Sequence, residues 1–278
     1  MFQLHNHRIQ MFNFDTNFSS TTNKYIIETA TPLDQFEIRD YVTIDAPLIG
    51  NAHLSLTNMG LYLSIAFIII VFLLGTINKL PKFIYRSWVL TKETIYDTVF
   101  NIVVSQINKY KGQMYFPFIF TLFLFILINN LIGLVPYSFS ATSHFLLAFS
   151  WSFSIVLGTV VLGVTVHNIK FLALFVPQGS PLALVPFLVI IEALSFVARN
   201  VSLGLRLAAN MLAGHMLLFI LSGFTFQIFK AGLIGILGFL PLLFIIAFSF
   251  LEFAIAFIQA QVFVVLSSGY IKDGLDLH

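Results

Sequence analysis

Apolar residues run along this chain in long blocks rather than short alternations. The first block, about residues 54–77, is long enough to cross roughly 30 Å of bilayer hydrocarbon as a helix. Residues 81–110 differ. Ile84, Trp88, Ile95, Val99 and Val103 recur at helical spacing, while Lys82, Arg86, Lys92, Glu93 and Asp97 fall among them. That pattern predicts an amphipathic helix lying in the membrane interface. Two more blocks, about 115–135 and 143–167, flank the uncharged turn Val135-Pro136-Tyr137-Ser138 and predict a transmembrane hairpin. A Pro- and Gly-rich turn follows, Phe175-Val176-Pro177-Gln178-Gly179-Ser180-Pro181. The last two blocks, about 183–225 and 231–271, are each about 40 residues, or about 60 Å as helices. That is roughly twice the hydrocarbon thickness, so each must break or lie steeply tilted. The expected fold is an all-α polytopic membrane protein. It has one N-terminal transmembrane helix, an interfacial helix, a transmembrane hairpin and two long tilted helices forming a second hairpin. No internal repeat is present.

Composition agrees with that class. The chain of 278 residues is 58% hydrophobic and 9% charged. Its net charge of +2 points to no nucleic-acid partner. With no cysteine, disulfides, thiol catalysis and cysteine-held metal centres are excluded. The 7 histidines form no pair on one helical face, so no haem, metal or other cofactor is expected. Residues 1–30 are polar and lack the apolar core of a secretory signal. They are expected to be a leader or a disordered tail, with residues 31–278 forming one membrane domain. The 33 phenylalanines, whose codons are T-rich, fit an A+T-rich organelle genome.

Charge also sets orientation. Residues 76–113 carry six Lys/Arg and two acids, whereas residues 1–56 carry three Lys/Arg and six acids. The amphipathic segment therefore faces the positively biased side and the N-terminus the opposite one. Five spans return the C-terminal Lys272-Asp273 to the side of the amphipathic segment.

The two long blocks hold nearly all the intramembrane ionisable residues: Glu192, Arg199, Arg206, His215 and Glu252, with Asn210, Gln259 and Gln261 as amides. Glu192, Arg199 and Arg206 recur every seven residues and share one helical stripe, which Asn210 continues. In an antiparallel hairpin, residues at equal depth share one index sum. Arg206 with Gln259 and His215 with Glu252 share theirs to within two. One register thus sets Arg206 level with Gln259, and His215 level with Glu252. A guanidinium stays protonated, so the first layer holds a fixed charge beside a neutral amide. The second layer can take up and release protons near physiological pH. About 13 Å of helix separates Arg206 from His215. The layers suggest an aqueous route ending at an electrostatic gate, with Glu192 on a second route toward the other face. Structural readings stand beside these. Arg199 and Glu192 can form an ion pair, Asn210 can join helices, and His215 with Glu252 can be a satisfied buried hydrogen bond. Arg206 has no acid at its own level in this register, so a purely structural role needs a counter-charge from another subunit.

At these residues the chain resembles subunit a of the rotary F-type ATP synthases, the membrane stator beside a ring of c subunits. The family signature Ser-Leu-Gly-Leu-Arg-Leu-x-x-Asn-x-Leu-Ala-Gly-His matches residues 202–215. Further similarity covers Pro32-Leu33-Asp34-Gln35-Phe36-Glu37-Ile38, Tyr115-Phe116-Pro117, Val135 to Phe139, Pro186 to Glu192, and Leu251 to Ala256 with Gln259. The branch it resembles is the mitochondrial, fungal type. The resemblance implies that Arg206 is the essential arginine facing a c-ring carboxylate. It maps Asn210, His215, Glu252 and Gln259 onto the half-channel from the intermembrane space, and Glu192 onto the matrix side. It implies an inner-membrane location, with the N-terminus in the intermembrane space and the C-terminus in the matrix. Protons, the lipid bilayer, the c ring and the other membrane and peripheral-stalk subunits are the implied partners. It implies no catalytic nucleotide site, and a leader removed near Thr31.

Two other classes remain as alternatives. A redox-complex subunit needs paired histidines for haem, and a secondary transporter usually shows an internal repeat with broken helices. Neither feature is found in the sequence.

Overall fold

A computed structural model describes residues 33–46, 52–75, 85–107, 109–135, 138–168, 171, 184–230 and 238–275. The expected leader, Thr31, Lys82, Ile84, Pro136, Tyr137, the Phe175–Pro181 turn, Gly232 and Gly235 lie outside them, as do the side chains of Arg86 and Trp88.

The elements follow in the order β1 (Asp40–Ala46), β2 (Ala52–Thr57), α1 (Asn58–Gly75), α2 (Tyr85–Ile107), α3 (Lys109–Gly133), α4 (Phe145–His167), α5 (Val185–Lys230) and α6 (Phe239–Leu275). Among the described residues five helices are long and apolar enough to cross a membrane: α1, the Gly112–Gly133 part of α3, α4, α5 and α6. The all-α polytopic reading holds for this membrane body.

The N-terminal end differs from expectation. The first apolar block was expected to be helical from residue 54, but residues 54–57 belong to a strand. β1 and β2 pair antiparallel, with Val42 opposite Leu56 and Ile44 opposite Leu54. Leu54 and Leu56 alternate with Ser55 and Thr57, a period-2 pattern that a search for long apolar runs absorbs into the helix. The Thr57 hydroxyl then accepts the Gly60 N–H at 3.2 Å and starts α1 there.

Of the stripe expected on α2, Val99 and Val103 are buried and Ile95 is half-buried. Ile107 is also buried, while Glu93 and Asp97 are exposed. The helix packs on α3 and α6. Lys92 Nζ donates to the Leu73 carbonyl at 2.7 Å, satisfying an acceptor that the end of α1 leaves open. The α3–α4 connection is longer than the predicted turn. It continues through a 3-10 turn at Ala141–Ser143, and α4 starts at Phe145. Ser138 Oγ donates to the carbonyls of Ile132, at 2.6 Å, and Val135, at 2.7 Å, closing the end of α3. At the far end of α4, Asn168 takes φ 51° and its N–H bonds the Val164 carbonyl.

α5 and α6 are unbroken over 46 and 37 residues, or about 69 and 55 Å. Of the two possibilities left by the sequence, breakage is ruled out, so tilt is what remains for helices of this length in a bilayer. α5 continues to Lys230, past the expected end near residue 225, and α6 is described from Phe239. α6 is the centre of the body and packs on α2, α3, α4 and α5. Its buried face includes Ala256, Ala260, Ser267 and Ser268, small residues that allow close helix approach. Arg206 and His215 are carried by α5, and Glu252 and Gln259 by α6.

Candidate functional site

The periodicity of α5 decides where Arg206 points. Leu203, Gly204, Leu207, Ala208 and Met211 are buried and form the face that packs into the body. Arg206 and its neighbour Leu205 lie off that stripe and are exposed. Close packing of α5 on α4 holds the orientation. A Cβ at Gly204 would lie 3.0 Å from Phe149 Cα and 3.1 Å from the Ala148 carbonyl oxygen. One turn away, Ser152 Oγ donates to Asn200 through its carbonyl at 2.8 Å and through Oδ1 at 2.5 Å, with both residues buried. No ion pair to Arg206 is found among the described residues.

Further along the hairpin, Asn210, His215 and Glu252 line one cavity of about 220 Å³, with Leu134, Met211 and Leu251 among its walls. Glu252 sits against Gly214, where a Cβ would overlap its carboxylate. Nε2 of His215 and Oε1 of Glu252 are buried without a hydrogen-bond partner, so the two are not the mutually satisfied pair that was one reading of the sequence. A cavity of that size, with Asn210, His215 and Glu252 in a largely apolar wall, is roomy enough to hold water.

Gln259 is buried, and its Oε1 accepts from Asn210 Nδ2 at 3.2 Å, not from Arg206. The His215–Glu252 layer keeps the predicted depth, since Glu252 meets Gly214.

On the other side of Arg206, Arg199 Nη2 lies 3.5 Å from Glu192 Oε1, as the seven-residue spacing suggested. Its Nη1 lies 3.8 Å from Asp273 Oδ2 on α6. All three side chains are about half exposed, so each pair contributes about 0–1 kcal/mol. Asp273 was missed in the sequence because it lies near the C-terminus, far from Arg199 along the chain. Asn130 was also missed. It is fully buried on α3, and its Nδ2 donates to the Ala256 carbonyl at 3.4 Å, between Glu252 and Gln259. The adjacent Asn129-Asn130 in an apolar span was the available signal. Outside the spans, burial holds the His144 imidazole below its ordinary pKa and favours its neutral form. Its ring lies beside Phe139, with centroids 5.2 Å apart and planes tilted by 31°. No group of three or more His, Cys, Asp or Glu suited to a metal occurs among the described residues.

Known proteins are similar in sequence to this chain over most of its length. A family model described as ATP synthase A chain matches residues 59–272. The ATP synthase subunit a of Emericella nidulans is 61% identical over 251 residues, covering 89% of this chain and 97% of the relative. That of Penicillium chrysogenum is 63% identical over 251 residues, with the same coverage of 89% and 97%. That of Eremothecium gossypii is 44% identical over 256 residues, covering 92% and 97%. With a family model spanning most of its length and relatives this similar along theirs, the chain belongs to the ATP synthase A chain family.

Proposed function

We propose that this chain is the proton-conducting stator of an ATP synthase membrane sector in the mitochondrial inner membrane, with Arg206 separating two offset half-channels. The observation that carries the reading is the outward face of Arg206. A permanent charge on a lipid-length helix, with no acid bound to it among the described residues, calls for a counter-charge from outside the chain. A carboxylate on a passing c subunit supplies one.

Protons from the intermembrane space reach the cavity of Asn210, His215 and Glu252, where Gln259 holds Asn210 in place. They pass to a c-ring carboxylate. Once neutral, that carboxylate can face lipid without the cost of a buried charge. After the ring turns, the proton leaves toward the matrix near Glu192. The returning carboxylate, now negative, is drawn to Arg206. Because Arg206 does not deprotonate, it also blocks direct leakage between the two routes. The membrane potential supplies about 2.3 kcal/mol per charge per 100 mV. This chain performs no covalent chemistry, and ATP forms on another subunit of the complex. In this reading the N-terminus faces the intermembrane space and the C-terminus the matrix, which the Lys/Arg distribution supports.

Arg206→Ala tests the reading. The variant complex is expected to assemble and to lose proton-driven ATP synthesis in sealed vesicles. Near-normal synthesis by that variant would refute the role.

A further inference from the structure

The half-channel reading leaves the segment Leu33–Arg39, ahead of β1, without a task. Its residues Asp34–Phe36 form a 3-10 turn. One buried side chain ties the segment to the start of α1. Asn58 Nδ2 donates to the Glu37 carbonyl at 2.9 Å, and Asn58 Oδ1 accepts the Met59 N–H at 2.8 Å and the Arg39 N–H at 3.4 Å. The Asn58 N–H also donates to the Arg39 carbonyl at 3.0 Å. These bonds determine where the segment lies, and so where Phe36 lies.

The Phe36 ring meets the His215 imidazole edge-on, with centroids 6.3 Å apart and planes at 63°. Phe36 does not line the cavity shared by His215 and Glu252, so it reaches the imidazole from outside that cavity. Nε2 of His215 is buried and has no hydrogen-bond partner. An imidazole normally takes its orientation from a bond at a ring nitrogen. Nε2 supplies none here, so packing contributes to the angle of the ring, and the Phe36 ring lies edge-on against it.

We propose that the N-terminal segment is part of the proton-uptake site and that Phe36 is a positioning residue. It holds the His215 ring toward the cavity and shields it from water outside. The functional meaning of this assignment rests on the half-channel reading above.

The test uses the assembled ATP synthase in mitoplasts. Diethylpyrocarbonate modifies neutral, water-accessible imidazoles. Peptide mass spectrometry reads the modification at His215, with His167 as internal reference. Loss of an edge-to-face aromatic contact predicts that Phe36→Ala raises the His215 modification rate about 2- to 10-fold. Phe36→Tyr is expected to keep the parent rate. A Phe36→Ala rate equal to the parent's, or a Phe36→Tyr rate as high as that of Phe36→Ala, overturns the proposal. If Phe36→Ala does not assemble, Phe36→Leu is judged by the same criterion, with a raised rate expected and an unchanged one overturning the idea. The labelling requires no proton flux. A negative result therefore leaves the half-channel reading standing, and failure of that reading leaves the labelling result standing.

Discussion

The Asn210 amide donates to Gln259 Oε1 at 3.2 Å, one helical turn beyond Arg206. This bond joins the two long helices between the exposed arginine and the cavity of His215 and Glu252. Each helix contributes one neutral amide, so the link adds no charge beside Arg206.

Replacing one partner of that bond tests how much it holds. Gln259→Leu leaves the Asn210 amide without its acceptor, and a lost partner of this kind costs about 1–3 kcal/mol when the group stays buried. Asn210 is partly open, so the expected cost is at the low end. Thermal inactivation of the purified complex should shift downward, and proton-driven synthesis should fall without being abolished. An unchanged inactivation profile would show that the bond contributes nothing.

Gly214 separates a packing effect from a channel effect. A Cβ there overlaps the Glu252 carboxylate, which is the free end of a flexible side chain. Gly214→Ala is therefore expected to leave assembly intact, because the carboxylate can swing aside. Its displacement should lower the proton flux, measured by quenching of a pH-sensitive dye in vesicles. Glu252→Gln and His215→Ala should also lower flux, each less severely than Arg206→Ala, because a wet cavity tolerates substitute groups. Normal flux in Gly214→Ala would argue against Glu252 as a path residue.

Gly204 presents the opposite case. The atoms a Cβ would meet there, Phe149 Cα and the Ala148 carbonyl oxygen, are backbone and cannot rotate away. Gly204→Ala must push α4 and α5 apart, at about 1–3 kcal/mol for overpacking a tight contact. The amount of assembled complex, read on native gels, should drop. Assembly equal to the parent's would mean that this contact has slack.

Much of the site could be read from spacing alone. The seven-residue repeat of Glu192, Arg199 and Arg206 anticipated the Arg199–Glu192 pair, because neighbours on one helix face are set by local geometry. The shared index sum of His215 and Glu252 anticipated their common cavity, since the pair lies close enough to the hairpin turn for register error to stay small. Gln259 bonds Asn210 rather than Arg206, a choice between side chains that backbone depth does not fix. Asp273, Asn130 and Phe36 could not be found this way. Each reaches its partner through contact between segments distant in sequence.

Long apolar blocks determined by themselves that this chain has membrane-length helices, because hydrocarbon can hold a backbone only when its polar groups are satisfied internally. The helical period determined which residues of α5 share a stripe with Arg206. Which stripe turns inward was decided by tertiary packing. Gly204 lets α4 approach at backbone distance, and that contact commits Leu203, Leu207 and Met211 to the interior. Arg206 is left outside because the opposite face of its helix was the one that fitted.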